Sequence, residues 1–531
     1  MNYLNKIVLF VCIVLAVVLL VFVLRDVYVF GVDDSFIFFR YAENLANGHG
    51  FVFNAGEPSG EGFTSWIWLL LLTFFHYVGL DVILISKILG IVFHVLGGIF
   101  LFCLAIKVLG REPLSKLTAL LLTGSFLLNY RLAAHSVSGM ETSLYVFSII
   151  LLAYLTTAAL YAPVPETRWW LIISIAALGT FLVRPEGIAA GGISLFALAI
   201  RQRENILDRN VWLYILFGLI LPLGLFIALK ILIFGYPLPH SYYHKLIVIK
   251  TEYSDSFRHL LKFIKSYWWL LAAAGVSMLC FLPARIYKDK KSPFVYLTFF
   301  FLVMAASYLL FYPVMNYLHR FYIPYLPLLL VMILPLLYFL VEKINRFWSE
   351  PLRILGLVIV AALLIVGMNT GLESSRRNVK SWSNMVNPGV YRAKLGKLMS
   401  HLPSGVVVAN TEMGVIPYYS RLECIDMAGL TDPYIAHNGL TMEYLTGRKV
   451  DLILFNKDVR KISTAEWNKY TLNYKNVFLS ERFKRDFDFI GFCAAWPGGK
   501  KGYYIYADKT SRNFPALLQW YEKYIGYFQP L

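Results

Sequence analysis

Charge is what this chain has least of. Only 15% of its 531 residues are Asp, Glu, Lys or Arg, against about 25% in soluble domains. Hydrophobic residues make up 58%, against the usual ~45–50%. That shortage excludes a chain built only of soluble domains and points to an integral membrane protein. Cysteine is scarce too, at five residues. Cys12, Cys103 and Cys280 lie in apolar stretches, where packing is role enough. Cys424 and Cys493 lie in the C-terminal region and are a candidate disulfide whose geometry the sequence leaves open. No Cys/His spacing suits a metal, no Asn-x-Ser/Thr sequon occurs, and no internal repeat relates two halves of the chain, which weighs against a secondary transporter. The net charge is +17. Its cations are scattered through short loops without a basic stripe or a nucleic-acid motif, so nucleic acid is not an expected partner. Membrane lipid with anionic headgroups is.

Apolar runs are what the chain has in abundance. The run from Ile7 to Leu24 follows Lys6, is long for a signal-peptide core and precedes no small-residue cleavage site, so it reads as a retained anchor. The positive-inside rule keeps Lys6 in the cytoplasm and sends Gly31 onward outside. SWIWLLLLTFFHYVGL, residues 65–80, falls short of the ~20 residues needed to span. Were it a span, the basic loops RQRENILDR and RIYKDKKS would lie outside. As a re-entrant or interfacial helix it leaves both cytoplasmic. The expectation is about eleven spans, near 7–30, 82–109, 116–131, 142–161, 169–183, 187–200, 211–233, 267–284, 293–312, 321–341 and 353–370.

After Gly371 the apolar runs are too short to span. GVVVAN, LECIDM, DLILF and YYIYAD read as strands separated by turns and helical stretches. The expected fold class is therefore a polytopic α-helical membrane protein. Its membrane domain covers 1–370, with a first extracytoplasmic loop at 31–81 carrying juxtamembrane helices. An extracytoplasmic α/β domain covers 371–531.

This topology gathers the awkward polar residues on the outer side. Asp33, Asp34, Arg40 and Glu43 follow the anchor in GVDDSFIFFRYAENLANGHG, and Glu57 and Glu61 lie in NAGEPSGEGFTSW. His135 and Glu141 lie in AHSVSGMET, and Arg184 and Glu186 in VRPEG. Lys230, His240, His244 and Lys245 lie in KILIFGYPLPHSYYHK, and His319 and Arg320 in NYLHRF. Ionisable groups at membrane depth are costly and default to functional candidates. Each has a plainer reading. An aspartate of the first pair could cap the helix that follows, Arg184 and Glu186 could form a local ion pair, and the histidines could sit at headgroup level. Together they describe carboxylates facing cations at one membrane surface. A lipid-phosphate sugar needs such cations for its leaving group and a carboxylate base for the acceptor hydroxyl.

The motif DDSFIFFRYAENLANGHGFVFNAGE…EGFTSWIW resembles the opening of the GT-C membrane glycosyltransferases, and within them the actinobacterial terminal arabinofuranosyltransferase family. SGMETSLY, the RPEG turn, FGYPLPHSYYHK, HRFYIPYLPLL and NTEMGVIPYYSRLECIDMAGLTDPYIAH are similar to further family segments. Phe63 and Ser65 depart from the family's Tyr and Asn.

The resemblance implies an inverting glycosyltransferase that moves a sugar, arabinofuranose among the candidates, from a polyprenyl-phosphate donor to a cell-envelope glycan acceptor. It also implies a multi-pass protein of the bacterial inner membrane with its site outside. Asp33 or Asp34 is the implied base, with Asp33 slightly favoured. The other would position the acceptor, cap the helix or hold a divalent cation, which some GT-C members need and others do not. Arg184, Lys230, Lys245 and Arg320 are the candidates for the donor phosphate. Arg40, Glu61, Glu141, Glu186, His240 and His244 are candidates for binding or orienting the acceptor. A lipid-linked glycan flippase and a non-catalytic assembly scaffold are the rival readings.

Overall fold

The computed structural model describes residues 14, 17–164, 166–240, 242–243, 253–281, 293–310, 315–387, 391–462, 472–494 and 502–525. The first half of the expected anchor lies outside them, and residues 17–27 are helical.

Long unbroken apolar runs make helices wherever no Gly or Pro punctuates them. By length and composition, five helices can cross a membrane: Val82–Leu109, Thr142–Leu160, Arg209–Phe234, Ser256–Cys280 and Glu350–Met368. Two bent pairs, Pro113–Leu127 with Tyr130–Ser136 and Tyr317–Met332 with Leu334–Phe347, raise this to seven. Arg168–Val183, Gly187–Arg201 and Pro293–Leu310 stand at three more expected positions but are shorter. Trp66–Tyr77 has 12 residues, about 18 Å of helix against a hydrocarbon core of about 30 Å. That length suits the interfacial or re-entrant role expected of it.

Burial separates the inner helices from the outer ones. In the apolar window of Thr142–Leu160, 67% of the residues are buried, against 11% for Arg209–Phe234 and 17% for Glu350–Met368. The outer helices turn Leu225, Leu229, Leu232, Val358, Leu363 and Val366 outward. An apolar surface of this kind suits lipid rather than water. Thr142–Leu160 packs along Val82–Leu109 and Arg168–Val183, so whatever caps its N-terminus sits in the middle of the bundle end.

The C-terminal unit is a five-stranded sheet in the order β2-β1-β3-β5-β4. Its strands are β1 (Val407–Asn410), β2 (Glu423–Asp426), β3 (Leu452–Phe455), β4 (Phe487–Ala494) and β5 (Gly502–Asp508). β1 pairs in parallel with β2 and β3, while β5 runs antiparallel to β3 and β4. The four expected strands are present, and β4 is an edge strand that the sequence reading did not name. The order also disposes of the candidate disulfide. Cys424 on β2 and Cys493 on β4 are both free and stand on opposite edges of the sheet. Four strand spacings put them roughly 19 Å apart, far beyond the ~7 Å Cα limit of a disulfide.

The unit is fastened to the first outer loop by buried polar groups. Arg40 in the Ser35–Ala46 helix is 8% exposed. Its Nε donates to the Phe53 carbonyl at 2.8 Å and its Nη1 to the Pro417 carbonyl at 2.7 Å. Its Nη2 donates to Asn54 Oδ1 and the Leu422 carbonyl. Four of the five N–H donors of a guanidinium are thus spent, two within the outer loop and two on the C-terminal unit. Arg40 was expected to orient an acceptor; its donors are instead committed to this clasp. Glu43 accepts from Tyr418 Oη at 2.6 Å and pairs with Arg421, and Glu57 pairs with Arg448.

Candidate active site

The site is built where four motif loops meet at one end of the bundle. The SGMET turn comes first. Gly139 has φ +83°, and a Cβ there would stand 2.8 Å from the Ser35 side chain, so the turn needs glycine twice over. Trp68 of the short apolar helix donates its indole N–H to the Gly139 carbonyl at 3.1 Å. The turn delivers Glu141 to the N-terminus of Thr142–Leu160 with no exposed surface.

Arg320 arrives from the NYLHRF segment. Met315, Leu318 and His319 all have positive φ, at 61°, 47° and 61°. Left-handed backbone at non-glycine residues costs free energy and gathers at functional sites. The bend aims the guanidinium inward: Arg320 Nη2 donates to Glu141 Oε1 at 3.0 Å, and Nη1 lies 3.7 Å from Asp34 Oδ2. Arg184, held by the RPEG turn, contacts the same Glu141 oxygen at 3.8 Å and pairs with Glu186 at 3.1 Å. The local ion pair considered for Arg184 and Glu186 exists, as one end of a five-residue chain: Asp34, Arg320, Glu141, Arg184, Glu186. Burial would raise the Glu141 carboxyl, but Arg320 and Arg184 outweigh it and hold it below its ordinary value.

Several polar atoms around this chain make no hydrogen bond among the described residues. They are Arg184 Nη1, Arg320 Nε, Glu141 Oε2 and the hydroxyls of Tyr317 and Tyr322. Buried polar groups are normally paired, so a cluster of orphans suits a ligand. Tyr145 and Tyr325 share a hydroxyl–hydroxyl bond of 2.9 Å beneath Arg184, whose guanidinium carbon lies 5.2 Å from the Tyr145 ring centre. No sequence signal singles these tyrosines out, since rings are abundant along every apolar run.

The two aspartates part company. Asp33 Oδ1 accepts the Val415 N–H at 3.2 Å and pairs with Arg392 at 3.2 Å, and its side chain is 3% exposed. The Asp34 side chain is 28% exposed and has Arg320 as its ion-pair partner. Asp34 occupies the N-cap position of the Ser35–Ala46 helix, but its side chain makes no capping bond. Burial pushes the Asp34 carboxyl above its ordinary value; Arg320 pulls it down and Asp33 pushes it up again.

Lys230, Glu61 and His240 form a second cluster. Lys230 Nζ lies 2.9 Å from Glu61 Oε2, and Trp66 donates to Glu61 Oε1 at 2.9 Å. The His240 backbone N–H donates to the Glu61 carbonyl, and its fully buried ring meets that of His437 from the C-terminal unit. Burial, helped by His437 and Lys230, lowers His240 to about 4. His244 and Lys245 lie outside the described residues. Among the described residues, no group of three or more His, Cys, Asp and Glu side chains is arranged to hold a metal ion. Each carboxylate of the five-residue chain pairs with an arginine.

Residues 383–506 match the model of a family described as a domain of unknown function, DUF8728. No curated protein matches the sequence. Solved structures do match the fold. The crystal structure of ArnT from Cupriavidus metallidurans bound to undecaprenyl phosphate superposes with a TM-score of 0.59 at 10% identity, covering 96% of this chain and 99% of that one. Its apo state gives 0.54 at 11% identity, covering 95% and 98%. The oligosaccharyltransferase AglB from Archaeoglobus fulgidus, in complex with an inhibitory peptide and a dolichol-phosphate, gives 0.50 at 10% identity, covering 93% and 74%. The fold of this chain is the one that these structures share.

Proposed function

We propose that the protein is an inverting glycosyltransferase that takes its sugar from a polyprenyl phosphate and passes it to a glycan of the bacterial cell envelope. Arabinofuranose is the sugar that the motif resemblance favours. The site would face the extracytoplasmic side of the inner membrane, as the positive-inside reading of the loops requires. The observation that carries the proposal is a partly open carboxylate, Asp34, paired with Arg320, which shares Glu141 with Arg184. Both arginines keep N–H groups unused, Nε in Arg320 and Nη1 in Arg184. ArnT and AglB, which share the fold, were solved with lipid phosphates bound.

In this reading Asp34, rather than the buried Asp33, is the base. It takes the proton of the acceptor hydroxyl as that oxygen attacks the anomeric carbon from the face opposite the phosphate. The bond from the anomeric carbon to the phosphate oxygen breaks, and its electron pair leaves with the polyprenyl phosphate. Arg320 and Arg184 stabilise the charge gathering there, where preset donors in a dry site are worth most. The proton on Asp34 then passes to water through its exposed edge. Glu141 holds both arginines in place, and Glu186 steadies Arg184.

Formal charges set one further requirement. Arg184 and Arg320 stand against Asp34, Glu141 and Glu186, so these five groups sum to −1. An anionic donor needs another cation. Lys245 is the protein's own candidate and a divalent cation the external one, while Lys230 is engaged with Glu61. The experiment is transfer by the purified protein in detergent, with polyprenyl-phosphate sugars as donor and envelope glycan from a deletion strain as acceptor. Sugar should appear on the glycan. A protein that makes no product in detergent, yet moves lipid-linked glycan across vesicles, would be a flippase instead.

A further inference from the structure

The C-terminal unit brings a carboxylate of its own to the site. The loop between β1 and the Val415–Ser420 helix is residues 411–414, and it is pressed against the first outer loop. A Cβ at Gly414 would stand 2.0 Å from the Asp33 carbonyl oxygen, so no residue with a side chain fits there without moving one of the loops. The loop is also tied internally. Fully buried Asn410 donates through Nδ2 to the Glu412 carbonyl at 2.8 Å, and its Oδ1 accepts the Glu412 N–H at 3.3 Å. Arg392 then bridges the two parts, with Nη1 3.2 Å from Asp33 Oδ1 and Nη2 2.8 Å from Glu412 Oε1. Glu412 is thus fixed in place beside the aspartate pair.

Glu412 differs from Asp33 in what its carboxylate leaves free. The Glu412 side chain is 23% exposed. Its Oε1 is taken by Arg392, and its Oε2 makes no hydrogen bond among the described residues. Burial pushes its carboxyl up to about 7; Arg392 opposes the shift, and the charges of Asp33 and Asp34 add to it. Arg392 joins Glu412 to Asp33, and Asp34 is the next residue in the chain. A carboxylate oxygen left open beside the base suits a ligand rich in hydroxyl donors, since each hydroxyl can donate to it a charge-assisted hydrogen bond.

We infer that Glu412 is an acceptor-binding residue, its free oxygen taking a hydroxyl of the envelope glycan next to the one that Asp34 deprotonates. The C-terminal unit would then complete the acceptor site rather than merely cover it. The inference rests on the transferase reading above.

The test uses the full-length protein in detergent with the same donor extract and the same deletion-strain glycan. Glu412→Gln should raise the KM for glycan about tenfold, the loss expected for one charge-assisted hydrogen bond. Its kcat and its KM for the lipid donor should stay within about twofold. Glu412→Asp, which keeps the charge, should show a smaller rise. Thermal melting identifies the folded variants, and Glu412→Asp carries the test if Glu412→Gln does not fold. An unchanged glycan KM in a folded variant overturns the assignment, as does a fall in kcat alone. If the unsubstituted protein makes no product, the transferase reading fails and the assignment of Glu412 falls with it. Activity in the unsubstituted protein with no effect at Glu412 removes only the assignment.

Discussion

Asp33 and Asp34 are neighbours in the chain and lead into different parts of the molecule. Asp33 points to the C-terminal unit, where Arg392 and the Val415 N–H hold it. With Arg40, Glu43 and the half-buried Glu57 it belongs to a clasp in which charge is matched by protein groups. Asp34 points to the membrane bundle, where Arg320, Glu141, Arg184 and Glu186 form a chain with unmatched donors. The same loop motif therefore supplies both an attachment and a site. What separates them is satisfaction: the clasp residues have their partners, and the site residues wait for some of theirs.

The comparison breaks first at the base. Asp34→Asn should lower transfer by about 10²–10⁴-fold, the range of general-base catalysis, with melting little changed. Arg320→Ala should cost about 10²–10³-fold, typical of a lost donor to developing charge, with residual activity that Arg320→Lys improves only in part. At the clasp the effect moves from rate to stability. Arg40→Ala strands buried carbonyls and should cost about 2–4 kcal/mol, seen as a lower Tm and poorer yield, with the activity of the surviving folded fraction retained. Removing metal comes next. Since the carboxylates face arginines, EDTA should leave transfer largely intact while Lys245→Ala lowers it. The opposite pattern would make a divalent cation the missing positive charge.

The smallest effect is a pH dependence of stability. The folded-state pKa of Glu412 is raised by burial to about 7, so Glu412 favours the folded state in its protonated form. That contribution is complete below its unfolded value and is lost as pH rises from there through about 7. Tm should fall between pH 5 and about 8, and Glu412→Gln should flatten the fall.

Much of this architecture could be read before any coordinates, for physical reasons that differ by region. Helices follow from apolar runs, and these stand where the sequence puts them. Crossing is a matter of length as well, and Arg168–Val183 and Gly187–Arg201 are short for it. Four strands announced themselves as short apolar or aromatic runs bounded by turn signals. β4, FDFIGFCA, interrupts its pattern with Gly491 and lies at an edge with most of its residues only partly buried, so its signal is weak. In the site, Glu141, Arg184, Glu186 and Arg320 were legible because ionisable groups in apolar surroundings need a reason. Arg40 looked equally suspicious, yet two of its partners are carbonyls more than 370 positions away, and no local pattern encodes them. Glu412 stands in the NTEMGV segment without being singled out there, and Arg392 in no motif, for the converse reason: a charge in a soluble-looking segment is ordinary until the fold carries it to the bundle.

The most direct measurement is transfer by Asp33→Asn and Asp34→Asn side by side, each normalised to folded protein. The account predicts that Asp34→Asn is inactive, while Asp33→Asn melts earlier but retains most of its activity. A folded Asp34→Asn protein with full activity beside an inactive Asp33→Asn would contradict it.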